Sequence, residues 1–186
     1  MLVKASGGFR SYRLFWVVAL VVLVLDQGTK LWIDAILPFG TYFASEYAGE
    51  ASPIVVIPGF FQIVHIGNEG AAWGMFSGFR FALVIVGVAA LAGIYFFRGS
   101  LELRRPVMQF GFGLIVGGIV GNLIDRVLYG YVVDFLDFTL PGIPGLGLDP
   151  YRWPAFNVAD MGISCGVFFY LLVCFFPVKK KAPESS

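Results

Sequence analysis

The sequence predicts an α-helical membrane protein with four transmembrane helices and a small sheet on the outer membrane surface. Of its 186 residues, 58% are hydrophobic and 13% are charged, whereas about 25% of the residues in a soluble domain are charged. The mean hydropathy is +0.82, and four apolar runs are long enough to cross a bilayer as helices. The net charge of +1 gives no reason to expect nucleic acid or another strongly charged partner.

The four apolar runs define a single membrane domain that covers residues 1–186. The first run follows a short basic segment, as in cleaved signal peptides, but no small-residue cleavage site comes after it. We therefore predict that this helix is retained. The predicted spans are about 13–36, 81–97, 107–128 and 154–176, and they leave outer loops at 38–80 and 129–153.

Two short segments of the first outer loop are typical of β-strands. Ile54–Ile57 and Phe60–Ile66 are rich in β-branched and aromatic residues, and a proline–glycine pair separates them. Both are too short to cross a bilayer as helices, which indicates a small sheet at the surface. Residues 68–76 are predicted to form a short amphipathic helix in the interface. Residues 141–150, rich in proline and glycine, are expected to be irregular.

Basic residues are unevenly distributed between the two sides of the predicted bundle. The amino-terminal segment, the connector 98–105 and the carboxyl tail contain nine of the thirteen Lys and Arg residues. Positive charge concentrates in cytoplasmic loops, so both termini are predicted to be cytoplasmic. Ten of the twelve acidic residues then lie in the outer half of the protein.

Polar side chains gather at the outer ends of the predicted helices. Asn122, Asp125 and Arg126 are spaced i, i+3 and i+4 and share one helix face, and Asn157 and Asp160 do the same on the fourth helix. The predicted topology brings nine polar residues to this level. They are Asp26, Lys30, Asn68, Asn122, Asp125, Arg126, Asp134, Asn157 and Asp160.

Carboxylates are the catalytic groups that this cluster offers, because it has neither a serine with a histidine base nor a group of histidines. Two close carboxyl groups do not both ionise easily, so one keeps a proton. Such a pair can activate water and protonate a leaving amine, which is the chemistry of peptide hydrolysis.

Other functions fit the same residues. Paired acids also carry protons in transporters, a structural membrane subunit would not need them, and Asp26 with Lys30 fits a plain ion pair at a helix end. A transporter would place its acids near the midplane, often in repeated halves, whereas this chain has no repeat and gathers them at one surface. Spacing alone does not rank Asp134 above Asp125.

Five segments, in order, resemble the motif blocks of bacterial lipoprotein signal peptidase (signal peptidase II). They are residues 26–30, 68–73, 117–126, 132–135 and 156–160. The resemblance implies an aspartic peptidase with four transmembrane helices and a periplasmic cap made of a sheet and a short helix. It also implies that the enzyme cleaves diacylglyceryl-modified prolipoproteins just before the lipid-modified cysteine.

The resemblance implies that Asp134 and Asp160 form the catalytic dyad. It also implies a set of substrate-binding or supporting residues, namely Asp26, Lys30, Asn68, Gly70, Asn122, Asp125, Arg126 and Asn157. Arg126 is expected to hold a carboxylate through its planar guanidinium fork. No metal or cofactor is expected. The protein should be a monomer in the bacterial inner membrane, in contact with membrane lipid, with its active site toward the periplasm.

Overall fold

The computed structural model describes residues 9–41, 52–70, 80–142, 145, 147 and 149–176. These residues form apolar helices and one antiparallel sheet, and a short 3-10 turn at Phe9–Tyr12 precedes the first helix. The helices are α1 Arg13–Ile36, α2 Arg80–Phe96, α3 Pro106–Leu128 and α4 Val158–Phe175. The strands are β1 Ile54–Ile57, β2 Phe61–Asn68, β3 Val132–Leu140 and β4 Tyr151–Arg152.

Three of the described helices, α1, α3 and α4, are long and apolar enough to cross a membrane. The fourth, α2, is apolar but has only 17 residues. Many large apolar side chains of these helices face outward, as the tryptophans at 16 and 32 do with about half of their surface exposed. Apolar exposure of this extent suits a helix surrounded by lipid.

Helix α3 is the centre of the bundle, with α1 and α4 packed on two of its sides and α2 held more loosely. Glycines make the close approach possible. A Cβ atom at Gly117 would lie 2.6 Å from the carbonyl oxygen of Ala19 in α1, and one at Gly118 would clash with the backbone of α4. The glycines of α3 therefore act as contact points between helices, as in other membrane bundles.

The sheet has the order β1-β2-β3-β4 with antiparallel neighbours. The strand predictions at 54–57 and 60–66 are confirmed by β1 and β2. The nine-residue strand β3 was not predicted, because the sequence analysis assigned residues 129–153 to a loop. Its pairing places Asp134 opposite Ile66 of β2. A site aspartate therefore stands on a central strand and not on a loop.

Helix α4 begins at Val158, four residues later than the predicted start at 154. Phe156 instead continues the sheet through backbone hydrogen bonds with Leu136. Asn157 then caps the helix, since its Oδ1 accepts from the Asp160 N–H at 3.0 Å and the Asp160 carboxylate accepts from the Asn157 N–H at 3.3 Å. This reciprocal capping box fixes the first turn.

The predicted interfacial helix at 68–76 lies largely outside the described residues. Its first residue, Asn68, is the last residue of β2 and not part of a helix.

We expect that adding one methyl group to α3 weakens the bundle. Gly117→Ala places a Cβ against the α1 backbone, and such overpacking should lower the free energy of unfolding by about 1–3 kcal/mol. The measurement is thermal unfolding of the purified protein in lipid or detergent. Gly93→Ala in α2 is the matched control, because among the described residues no atom beyond its own stretch of helix lies within 4 Å of the added Cβ. A Gly117→Ala protein as stable as this control would contradict the close contact.

Candidate active site

The carboxyl-terminal halves of α1 and α3 and the amino end of α4 meet β3 in a layer of buried polar side chains. Six of the predicted site residues in this layer are at most 7% exposed. They are Asp26, Lys30, Asn122, Asp125, Asp134 and Asn157. Burial of so many polar groups is tolerable only when each has partners.

Lys30 is the central cation of this layer. Its Nζ lies 2.9 Å from Asp26 Oδ2 and 2.7 Å from Asp125 Oδ2, and it donates to Asn122 Oδ1 at 3.0 Å. All three donor hydrogens of the ammonium group therefore have acceptors. Lys30 and Asp26 are thus part of a buried network that spans two helices, and not an exposed pair at a helix end.

The two carboxylates bound to Lys30 also contact backbone groups of other elements. Asp26 Oδ1 accepts from the Ala159 N–H in the first turn of α4 at 2.9 Å. Asp125 Oδ2 accepts from the Val133 N–H of β3 at 3.1 Å. One cluster of charges thereby connects α1, α3, α4 and β3.

Gln27 is a member of this network that the sequence analysis did not single out. Its Nε2 donates to Asp26 at 3.1 Å and to Asp125 at 2.9 Å. Its position next to Asp26, in the segment that resembles a family motif, was the available signal.

Asp134 is 1% exposed and receives two amide hydrogen bonds. Asn68 Nδ2 donates to Oδ2 at 2.9 Å and Asn157 Nδ2 donates to Oδ1 at 2.7 Å. Burial, together with the negative charge of Asp160, raises the pKa of Asp134 to about 7. The two amides oppose this shift because they stabilise the charged form. At neutral pH the protonated form of this carboxyl is therefore far more populated than in an ordinary aspartate.

Asp160 is bound in a similar way from the other side. Asn122 Nδ2 donates to its Oδ1 at 2.7 Å, and the Asn157 N–H donates to its Oδ2. Asn157 thus contacts both Asp134 and Asp160, with its side chain on the first and its backbone on the second. The two aspartates predicted as a dyad share one asparagine.

Arg126 departs from the expected geometry. Its Nη2 donates to the Gly70 carbonyl at 2.8 Å and its Nη1 contacts the Asn122 carbonyl at 3.5 Å. Among the described residues it forms no ion pair with a carboxylate within 4.0 Å, and carbonyl oxygens take the place of the expected carboxylate. Arg126 instead binds backbone oxygens, which a sequence motif cannot reveal.

A cavity of about 770 Å³ opens beside Asp160. Its lining includes polar groups of Asn68, Gly70, Asn122 and Arg126. It also includes the mainly apolar residues 153–156, with Met161 and Ile163 of α4. The cavity therefore suits a ligand with a polar part beside a carboxyl group and an apolar part beside the helices.

The described residues contain no group of three or more His, Cys, Asp and Glu side chains arranged to hold a metal ion. Of the predicted site residues, the structure brings together Asp26, Lys30, Asn122 and Asp125 in one group and Asn68, Asn122, Asp134, Asn157 and Asp160 in another. Gly70 and Arg126 lie at the cavity and contact each other.

Comparisons with known proteins point to one family. The family model for signal peptidase (SPase) II matches residues 18–176. The lipoprotein signal peptidase of Oleidesulfovibrio alaskensis is 38% identical over 169 residues, which cover 86% of this chain and 93% of that protein. The lipoprotein signal peptidase of Tolumonas auensis is 39% identical over 183 residues, covering 92% and 94%.

A solved structure described as a bacterial membrane enzyme, determined by the in meso method at 2.3 Å resolution, has the same fold. It aligns with a TM-score of 0.72 and 30% identity over 91% of this chain and 92% of that one. The match of the family model over most of the sequence, with relatives well above 30% identity, establishes that this chain belongs to the signal peptidase II family.

Proposed function

We propose that this protein is an aspartic endopeptidase that removes the signal peptide from prolipoproteins, cleaving before the diacylglyceryl-modified cysteine. The observation that carries the proposal is the pair Asp134 and Asp160, joined through Asn157 beside a cavity lined by both polar and apolar residues. A lipid-modified peptide has the same two-part character. Related chains named lipoprotein signal peptidase support the substrate class.

The proposed dyad works with one shared proton. The ionised carboxylate takes a proton from water as the water oxygen attacks the scissile carbonyl carbon, and the protonated carboxyl donates to the leaving amine as the C–N bond breaks. Asp134, whose pKa is raised to about 7, is the proposed acid. Asp160, which lines the cavity, is the proposed base.

The remaining site residues are proposed as supports. Asn68, Asn122 and Asn157 orient the two carboxyl groups through hydrogen bonds. The buried charges of Asp26, Lys30 and Asp125 connect the elements that present them. Arg126 and Gly70, which contact each other and line the cavity, are proposed to bind the substrate's peptide.

We further propose that the whole chain is one domain and that all four helices cross the bacterial inner membrane, with both termini cytoplasmic and the site toward the periplasm. At 1.5 Å per residue the 17 residues of α2 extend about 26 Å, close to a hydrocarbon core of about 30 Å. Phe97, the next residue, is also apolar. Monomeric action in contact with membrane lipid completes the proposal, since each site residue comes from the same chain.

The decisive test of the activity uses isosteric changes in the dyad. Asp134→Asn and Asp160→Asn should each lower the rate of cleavage of a lipid-modified prolipoprotein by about 10²-fold as a minimum, and by up to about 10⁴-fold or more. The reason is that asparagine neither accepts a proton from water nor donates one as an acid. The double variant should be no slower than either single one, since the two groups act as a unit. The measurement is release of signal peptide by purified protein.

Two controls accompany this assay. Each variant must retain the thermal stability of the starting protein, and the same peptide without lipid should be cleaved far more slowly. Near-normal turnover by a folded Asp134→Asn or Asp160→Asn protein would remove the aspartic mechanism.

A pH profile tests the assignment of Asp134 as the acid. When Asp134 loses its proton near pH 7, kcat/KM should fall, and this fall forms the alkaline limb of the pH profile. Asn68→Ala removes a hydrogen bond that favours the charged form, so the pKa of Asp134 should rise and the limb should move to higher pH. Thr29→Ala is the control, because within the described part of the chain the Thr29 hydroxyl bonds only the backbone of its own helix. A downward shift in Asn68→Ala would exclude Asp134 as the group observed.

Labelling of single cysteines tests the orientation. In a background with Cys165 and Cys174 replaced by alanine, Gly145→Cys should react with a membrane-impermeant maleimide added to the periplasmic side. Ser100→Cys should react only after the membrane is opened, because its connector is proposed to be cytoplasmic. The reverse pattern would invert the proposed topology.

A further inference from the structure

Strand β3 contains a second buried carboxylate besides Asp134. It is Asp137, which lies outside the proposed dyad and is 1% exposed. Arg152 of β4 donates its Nε to Asp137 Oδ1 at 2.9 Å and its Nη2 to Oδ2. Gln62 of β2 donates to Oδ2 at 2.6 Å. We call these three residues the Asp137 clamp. Their side chains connect three neighbouring strands, in addition to the backbone pairing of the sheet.

The clamp does not touch the proposed dyad. Gln62 and Arg152 line a separate recess of about 140 Å³, and no member of the clamp lines the large cavity beside Asp160. Arg152 is nevertheless followed directly by residues 153–156, all four of which line that cavity. We call these four residues the 153–156 wall.

The wall is held at both ends. At its start, the Trp153 N–H donates to the Phe138 carbonyl at 2.8 Å, next to the clamp. At its end, Phe156 exchanges backbone hydrogen bonds of 3.1 and 2.9 Å with Leu136, and Asn157 begins the capping box of α4. The side chain of Trp153 is 44% exposed, although its backbone is bonded. The wall thus presents a large aromatic ring at the cavity from a fixed backbone.

Strand β4 is the shortest strand of the described sheet. The strand has two residues, and its ladder consists of the pairs Thr139–Arg152 and Leu140–Tyr151. Apolar side chains could hold so short an edge strand in several registers, whereas a planar guanidinium that binds both oxygens of one carboxylate permits few. A buried ion pair is better suited to selecting one arrangement than to adding stability.

We propose that Asp137 and Arg152 are positioning residues, which set the place of the 153–156 wall and thereby the affinity for the peptide part of the substrate. This inference rests on the proposed peptidase activity. The substrate segment that contacts the wall should be extended and apolar, because the wall offers Trp153 and small or apolar neighbours and no charge. The clamp acts on binding and leaves the proton transfers of the dyad unchanged.

The test separates KM from kcat for cleavage of a lipid-modified prolipoprotein. Asp137→Asn keeps the shape of the side chain and removes its charge, while the part-exposed Arg152 can turn toward water. We expect KM to rise about tenfold with kcat changed less than about twofold. Arg152→Lys, which keeps the charge and loses the fork, should have the same effect on KM. Glu102→Gln is the matched control, because it neutralises an exposed ion pair with Arg105 in the connector between α2 and α3.

A double-mutant cycle shows whether the clamp acts through the wall. Trp153→Ala should raise KM by itself, and adding Asp137→Asn to it should then cause little further change. Unchanged KM in Asp137→Asn, an effect confined to kcat or to protein stability, or effects that add fully to those of Trp153→Ala would each overturn the inference while the activity of the unaltered protein stands. If the unaltered protein cleaves no lipid-modified prolipoprotein, the proposed function fails first and this inference fails with it.

Discussion

The site depends on the ion pairs that the ammonium group of Lys30 forms with two aspartates. It is 4% exposed and lies between Asp26 of α1 and Asp125 of α3, and those carboxylates in turn accept backbone hydrogen bonds from α4 and β3. An unpaired charge at this depth would be unstable, and removing one partner from a buried ion pair costs about 3–5 kcal/mol. Elements far apart in the sequence are therefore held together by charges that would be unfavourable without one another.

This arrangement also leaves the proposed dyad without a cation at hydrogen-bond distance among the described residues. Lys30 is occupied by Asp26, Asp125 and Asn122, and the groups that contact Asp134 are the neutral amides of Asn68 and Asn157. A lysine or arginine in their place would favour full ionisation of both aspartates and would remove the shared proton. Amides orient a carboxyl group with a smaller effect on its charge. The polar layer thus divides into a charged part that gives structure and a neutral part that surrounds the proposed chemistry.

Features that depend on a local pattern of side chains could be predicted from the sequence. Apolar runs predicted the helices, β-branched segments predicted β1 and β2, and the spacing of Asn122, Asp125 and Arg126 predicted one polar face. Features that depend on pairing between distant segments were missed. Strand β3 is not predicted because its partner β2 lies more than 60 residues earlier. The contact of Arg126 with the Gly70 carbonyl involves a backbone atom, which a sequence motif does not identify. The contact between Asp137 and Arg152 likewise requires the register of β4.

The start of α4 connects the fold to the assignment of the two aspartates. Because Phe156 remains in the sheet and Asn157 caps the helix, Asp160 falls at the third helical position, where its carboxylate accepts the Asn157 N–H. The amino end of a helix carries partial positive charge and stabilises an anion there. Asp134 lies on a strand and has a pKa raised by burial to about 7. The two carboxyl groups therefore occupy unequal environments, which supports the proposed assignment of the acid to Asp134 and of the base to Asp160.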